Sequence, residues 1–237
     1  MDASDAATDA ASPAPRDTAQ RYASASESDA AAIAQLDAWS ARAEADPVGA
    51  IDALPWLADS LERDARADRF AHWGRSTVID ENVGVAVLPR GPFDELHRRA
   101  GIDARWPVGH AGVLHVYGYL LSTVPTPYGL KRARWLDGGL AEACGLGRAG
   151  LLPWRGGGTL LARATVSARR LLAESAVRTE EVDGRRAVIA IGRAAASGVS
   201  PLAYAIDGRL VTMFPVDDAA ALLAGLGAPR LRWNAAH

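Results

Sequence analysis

The sequence predicts an α+β fold, in which an N-terminal helical hairpin packs on a mainly antiparallel β-sheet with short helices. Apolar residues recur at helical spacing in the early part of the chain, at Ile33, Leu36 and Trp39. In the C-terminal part, Asp183-Gly184 and Asp207-Gly208 separate β-rich runs. An Asp-Gly pair between such runs is a strong hairpin signal. Hairpins pair their strands antiparallel, which favours α+β over a doubly wound fold.

Composition and charge limit the class of protein. The chain has 237 residues, 49% of them apolar, which is enough for one large or two small domains with a sizeable core. Its net charge of -2 makes nucleic acid an unlikely partner. Lys131 is the only lysine among 26 basic residues. This excess of arginine is typical of high-GC coding, and so of a bacterial gene, and does not by itself indicate phosphate binding.

The N-terminal third divides into a tail and a helical region. Residues 1–25 are mostly alanine, serine, aspartate and threonine, which predicts a disordered acidic tail. We see no signal peptide and no apolar run long enough to span a membrane, so we expect a cytoplasmic protein without a membrane partner. Residues 26–75 form the predicted helical region, with one helix from Asp29 to about Ala45 and another from Pro55 to about His72.

Residues 76–237 form the predicted α+β body. Its elements up to residue 144 are two strands, a short helix, a strand and a helix, at 76–80, 83–88, 93–100, 113–121 and 130–144. Residues 159–172 fit a strand or a helix equally well. The remaining elements are four hairpin strands, a short helix and a last strand, at 177–182, 186–191, 202–206, 209–214, 219–226 and 230–233.

The most chemically varied stretch lies between Trp106 and Trp135. On a strand, His115, Tyr117 and Tyr119 would share one face, because alternate residues point to the same side. Such a row could line a cavity, with His115 as the acid or base and the tyrosines as further catalytic groups. The alternative is an amphipathic strand whose polar-tipped face packs on helices or meets water.

Cations and glycines nearby indicate an anion site. Lys131 can become a neutral amine or form a Schiff base, which arginine cannot do. Tyr128, Arg134, Arg155 and the glycines Gly156 and Gly157 could add substrate contacts, since a glycine-rich backbone can approach an anion. The alternatives are a solvated basic turn around Lys131 and a flexible joint at the glycines.

Several familiar sites are absent from the sequence. There is no HExxH motif, no Cys/His cluster, no P-loop and no GxSxG elbow, so we predict neither a metal nor a cofactor. Residues 145–150 match the dinucleotide pattern GxGxxG, but a helix-like run precedes them and Pro153 follows, which favours a turn after a helix. Cys144 is expected to be a buried, unreactive thiol.

These observations predict an enzyme that acts on a small polar, anionic metabolite. Its catalytic groups would be His115, Tyr117, Tyr119 and Lys131. One alternative is a non-catalytic binding or assembly protein that docks a partner through the acidic tail and the helical region with Trp39 and Trp56. A weaker alternative is a protein that acts on RNA, and the oligomeric state stays open.

Overall fold

The computed structural model describes residues 27–182 and 184–225, and its helices and antiparallel strands confirm the α+β prediction. The tail at 1–25 and the last strand expected at 230–233 lie outside the described residues. In the described ranges, no helix has both the length and the apolar character needed to cross a bilayer.

The helical N-terminal region contains three helices where two were predicted. They are α1, α2 and α3, at Glu27–Ser40, Pro47–Asp52 and Pro55–Arg66, and a 3-10 turn follows at Arg69–His72. Pro47 begins α2, because proline is accommodated in the first turn of a helix, where no backbone N–H is required. Asp46 caps α2 by accepting a hydrogen bond from the Gly49 N–H at 2.9 Å.

The first part of the body pairs differently from the prediction. Strand β1 (Arg75–Thr77) pairs antiparallel with β2 (Val108–His110), and helix α4 (Arg90–Ala100) lies between them in sequence. The strand expected at 83–88 does not form; a single bridge joins Ile79 to Ala86. Gly84 has φ of +68°, so the chain turns at the point where the predicted strand would have been extended.

The strand predicted at 113–121 is a helical segment, which we call the central segment (residues 111–121). It passes through a π-helical turn at Val113–Tyr117 into a 3-10 turn at Gly118–Leu121. Every residue of the segment is buried. A segment that is buried on all sides has no polar face, so its pattern of apolar residues does not distinguish a helix from a strand. Here tertiary packing overrides the preference of valine and tyrosine for β-strands.

The helix expected at 130–144 is two short helices. The chain forms a small hairpin from β3 (Pro125–Thr126) and β4 (Gly129–Leu130), then α5 (Ala133–Leu136) and α6 (Gly139–Ala143). Gly138, with φ of +80°, separates the two helices. The ambiguous stretch is a helix, α7 (Leu160–Glu174), which the Thr159 hydroxyl caps by accepting from the Ala162 N–H.

The four C-terminal strands confirm the predicted hairpins. Strands β5 to β8, at Ala176–Val182, Arg185–Ile191, Ser200–Ile206 and Arg209–Val216, form one antiparallel sheet in chain order. Asp207 and Gly208 both have positive φ, as a type I′ turn requires. The short helix α8 (Ala219–Gly225) follows, capped by Asp218.

One hydrophobic core contains residues of the N-terminal helices, the central segment, α7 and the sheet. Helix α7 packs on one face of the sheet, and a smaller cluster that includes Ile189 and Tyr204 extends toward α8. The central segment lies within the main core, so its polar side chains must find partners on neighbouring elements. The boundary proposed between residues 26–75 and 76–237 stays a prediction.

Candidate functional site

A group of polar side chains meets where the central segment adjoins β1, α5 and β8. We call it the Tyr119 cluster and define it by its six members: Ser76, Asp80, His115, Tyr119, Lys131 and Arg134. Four of these were candidates from the sequence. Ser76 and Asp80 were not among the predicted site residues.

Tyr119 is the centre of the cluster. Its ring stacks on the imidazole of His115, with ring centroids 4.8 Å apart and planes inclined by 24°. Two cations also lie near the ring: the Arg134 guanidinium carbon is 4.8 Å from its centroid and the Lys131 Nζ is 5.8 Å away. His115 and Tyr119 meet because residues four apart are neighbours on a helical surface.

His115 is fully buried and neutral. Its Nε2 lies 2.9 Å from the hydroxyl oxygen of Ser76. Burial, followed by the charges of Arg134 and Lys131, holds the pKa of His115 well below its usual value, although the Val211 backbone acts in the opposite direction. The imidazole is therefore neutral at neutral pH and is not a general acid there.

Arg134 is a partly buried cation without a carboxylate partner among the described residues. Its Nη1 donates to two uncharged acceptors on β8, the Thr212 hydroxyl at 3.3 Å and the Met213 carbonyl at 3.2 Å. Burial lowers the pKa of Arg134, while the groups of Tyr119, Asp80 and Glu81 act to raise it. A desolvated guanidinium that lacks a direct anionic contact favours the binding of an external anion.

Lys131 and Asp80 form an ion pair beside Tyr119. The lysine side chain is 14% exposed and that of the aspartate 2%. Burial lowers the pKa of Lys131, Arg134 lowers it further, and Asp80 opposes both. Burial acts to raise the pKa of Asp80, but Lys131 and Asn82 outweigh it, so the carboxyl stays ionised at neutral pH.

The hydroxyl of Tyr119 forms no hydrogen bond with any residue in the described ranges. Burial raises the pKa of Tyr119, Arg134 acts to lower it, and Asp80 and Glu81 raise it again. The phenol is therefore protonated at neutral pH. Its O–H is a hydrogen-bond donor that has no acceptor among the described residues.

Tyr117 belongs to a different group, so the expectation that it shares a face with His115 and Tyr119 is wrong. Residues two apart on a helix point in nearly opposite directions. The Tyr117 hydroxyl donates to the carboxylate of Asp64, and burial, followed by that charge, raises the pKa of Tyr117 well above its usual value. The Thr159 hydroxyl donates to the same carboxylate at 2.6 Å and Arg69 at 2.9 Å.

Asp64 is fully buried, which is uncommon for an aspartate. The spacing of residues in the sequence indicates this burial. The buried residues of α3 are Leu57, Ser60, Leu61 and Asp64, which follow the spacing i, i+3, i+4 and i+7.

The other predicted substrate-binding residues are not members of the Tyr119 cluster. Tyr128 is 71% exposed on the β3–β4 turn. The Arg155 guanidinium donates a hydrogen bond to the buried carboxylate of Asp29 at 2.7 Å, so it links the loop before α7 to α1. Gly156 and Gly157 are exposed in the loop before α7. Among the described residues, no hydrogen bond, ion pair or ring contact joins any of these four to Tyr119, Lys131 or Arg134.

Two further sequence features are structural. The GxGxxG run follows α6, with Gly145 and Gly147 at positive φ, and no helix begins directly after it, as predicted for a turn. Cys144 is buried and burial raises its pKa to about 11, as expected for an inert thiol. Within residues 27–182 and 184–225, no group of three or more metal-binding side chains comes together.

No protein-family model, curated protein or solved structure matches this chain. The chemistry of the Tyr119 cluster is therefore the basis on which a function is proposed.

Proposed function

We propose that this protein is an enzyme that acts on a small anionic metabolite at the Tyr119 cluster. The proposal rests on the contacts of Arg134. Its partly buried guanidinium donates hydrogen bonds to two uncharged oxygens and pairs with no carboxylate among the described residues. Buried charges in proteins are as a rule paired or serve a ligand. A carboxylate or phosphate group of the substrate would supply the missing partner.

The neighbours of Arg134 suit acid–base chemistry on the bound molecule. Tyr119 presents a protonated hydroxyl that has no protein acceptor, so it can donate a hydrogen bond or a proton to the substrate. Lys131 and Asp80 form a pair that can exchange a proton within the same site. His115 acts as a positioning residue, because it is buried beneath the Tyr119 ring and neutral.

Calorimetric titration with acetate, oxalate, pyruvate and phosphate tests the anion site. Wild-type protein should bind at least one of these anions, and Arg134→Met should bind it at least about tenfold more weakly, as expected for loss of a charge-assisted pair. Arg134→Lys should recover only part of the affinity, because an ammonium group lacks the planar two-pronged geometry of a guanidinium.

Arg90→Met is the matched control. Arg90 is 75% exposed on α4, and among the described residues its only ion-pair partner is Asp94, one turn away. This variant also removes one positive charge from the chain, so it should bind the anions as the wild type does. Equal affinity in Arg134→Met and the wild type would contradict the proposal, as would a wild type that binds none of the four anions.

A further inference from the structure

We infer that Lys131 forms a Schiff base with a carbonyl group of the substrate, and that the anionic substrate is therefore an oxo acid. The inference rests on the proposed function, because it takes Arg134 as the residue that binds the substrate carboxylate. It adds a covalent step and a substrate class to that function.

The placement of the two cations supports an oxo acid. Lys131 Nζ and the Arg134 guanidinium lie 5.8 Å and 4.8 Å from the centroid of the same ring. A small carboxylate held by Arg134 would therefore lie against the same aromatic ring as the Lys131 amine. In a 2-oxo acid the carbon next to the carboxylate is an electrophilic carbonyl, which a nucleophilic amine attacks.

Burial and the charge of Arg134 lower the pKa of Lys131, which increases the fraction of neutral amine. The side chain is largely withdrawn from water, and Arg134 adds a like charge nearby. These two conditions activate lysine nucleophiles in general. Asp80 is in direct contact with the amine and is the base that can accept its proton.

The step balances without an oxidant or reductant. Asp80 takes a proton from the Lys131 ammonium, and the neutral amine adds to the carbonyl carbon to form a C–N bond. Transfer of a proton from nitrogen to the former carbonyl oxygen gives a carbinolamine. Asp80 then returns its proton to the hydroxyl group, which leaves as water, and a protonated Schiff base remains.

The single lysine makes this inference directly testable. The protein is incubated with pyruvate and cyanoborohydride at pH 7.5, and each modified amine is located by peptide mass mapping. Only Lys131 and the N-terminal α-amino group can be labelled as primary amines. An ordinary lysine, with a pKa of about 10.4, is far less reactive at this pH than an α-amino group with a pKa of about 8. Unassisted chemistry therefore labels the N-terminus first.

We expect the reverse order, with Lys131 labelled at least about tenfold faster than the N-terminus, since positioned groups contribute factors of about 100 or more. Acetate should compete with the labelling of Lys131 and leave the N-terminus unaffected. Acetaldehyde, which has a carbonyl group but no carboxylate, should show no preference for Lys131. Arg134→Met should lose the preference, and Arg90→Met should keep it.

Two outcomes separate this inference from the proposed function. If the N-terminus is labelled first while acetate still binds the wild type in an Arg134-dependent way, the Schiff base is overturned and the anion site stands. If no anion binds and Lys131 is not preferred, both fail. Asp80→Asn provides a second check: a folded variant, verified by its unfolding curve, should label Lys131 at least about tenfold more slowly than the wild type.

Discussion

Replacing Asp64 by alanine should destabilise the fold strongly. Its carboxylate is fully buried and accepts from the hydroxyls of Tyr117 and Thr159 and from the Arg69 guanidinium. These bonds join α3 to the central segment and to the N-terminus of α7. Removing the carboxylate leaves two hydroxyl donors buried without an acceptor and one cation without its partner.

The expected loss in the free energy of unfolding follows from how deeply the partners of Asp64 are buried. A hydrogen bond to a charged group contributes about 1.5–3 kcal/mol, and breaking a buried charged network costs about 3–5 kcal/mol. Arg69 is 33% exposed, so water can replace part of its interaction and the two hydroxyl bonds dominate. We expect a loss of about 3–5 kcal/mol, against a total stability of about 5–15 kcal/mol for proteins in general.

Urea unfolding followed by tryptophan fluorescence measures the effect, since the chain has seven tryptophans. The matched control is Asp59→Ala on the same helix. Asp59 is 56% exposed and pairs with Arg63 at 3.2 Å, so its loss should cost less than about 0.5 kcal/mol. Tyr117→Phe removes one of the two hydroxyl bonds and should cost about 1.5–3 kcal/mol.

Equal losses in Asp64→Ala and Asp59→Ala would refute this reasoning. They would mean that the Asp64 carboxylate is not the acceptor that holds the three elements together.

Two further predictions concern pH and thiol chemistry. Burial lowers the pKa of three histidines in the folded state: His97, His110 (to about 4) and His115. As the pH falls, the unfolded chain therefore binds protons before the folded protein does. The free energy of unfolding should then decrease below pH ~6.5, by about 1.4 kcal/mol per pH unit for each histidine. Urea unfolding that is unchanged between pH 7.5 and 5.5 would contradict this. The pKa of Cys144 is raised from 9.0 to about 11, so iodoacetamide should modify it about a hundredfold more slowly than an ordinary thiol. Unfolding the protein in urea should remove this protection. Rapid modification of the folded protein would contradict the prediction.

The C-terminal sheet was predictable because its signals are local. An Asp-Gly pair can adopt the positive φ angles of a tight hairpin turn, and Asp207 and Gly208 do so. The strands on either side then pair by proximity in the chain. The central segment lacked such a signal, because burial on every side removes the polar positions that distinguish a helical period from a strand period.

The candidate site was predictable where its residues are close in sequence. His115 and Tyr119 are four residues apart and meet on a helical surface, although they were placed on a strand. Their partners come from distant parts of the chain: Ser76 is 39 residues from His115, and Thr212 is 78 residues from Arg134. Such pairs depend on how β1, α5 and β8 pack together, and no short-range pattern encodes that packing.

The central claim is that Arg134 serves a ligand rather than the fold, and the free energy of unfolding with and without the bound anion tests it most directly. Arg134→Met should change the stability of the ligand-free protein by less than about 1 kcal/mol, because removing a partly buried cation that lacks an anionic partner offsets the loss of its hydrogen bonds to the Thr212 hydroxyl and the Met213 carbonyl. An anion at a hundred times its Kd should stabilise the wild type by about 2.7 kcal/mol and the variant by clearly less. A variant that loses about 3 kcal/mol without ligand, yet is stabilised by the anion as much as the wild type, would show that Arg134 is a structural residue and contradict the account.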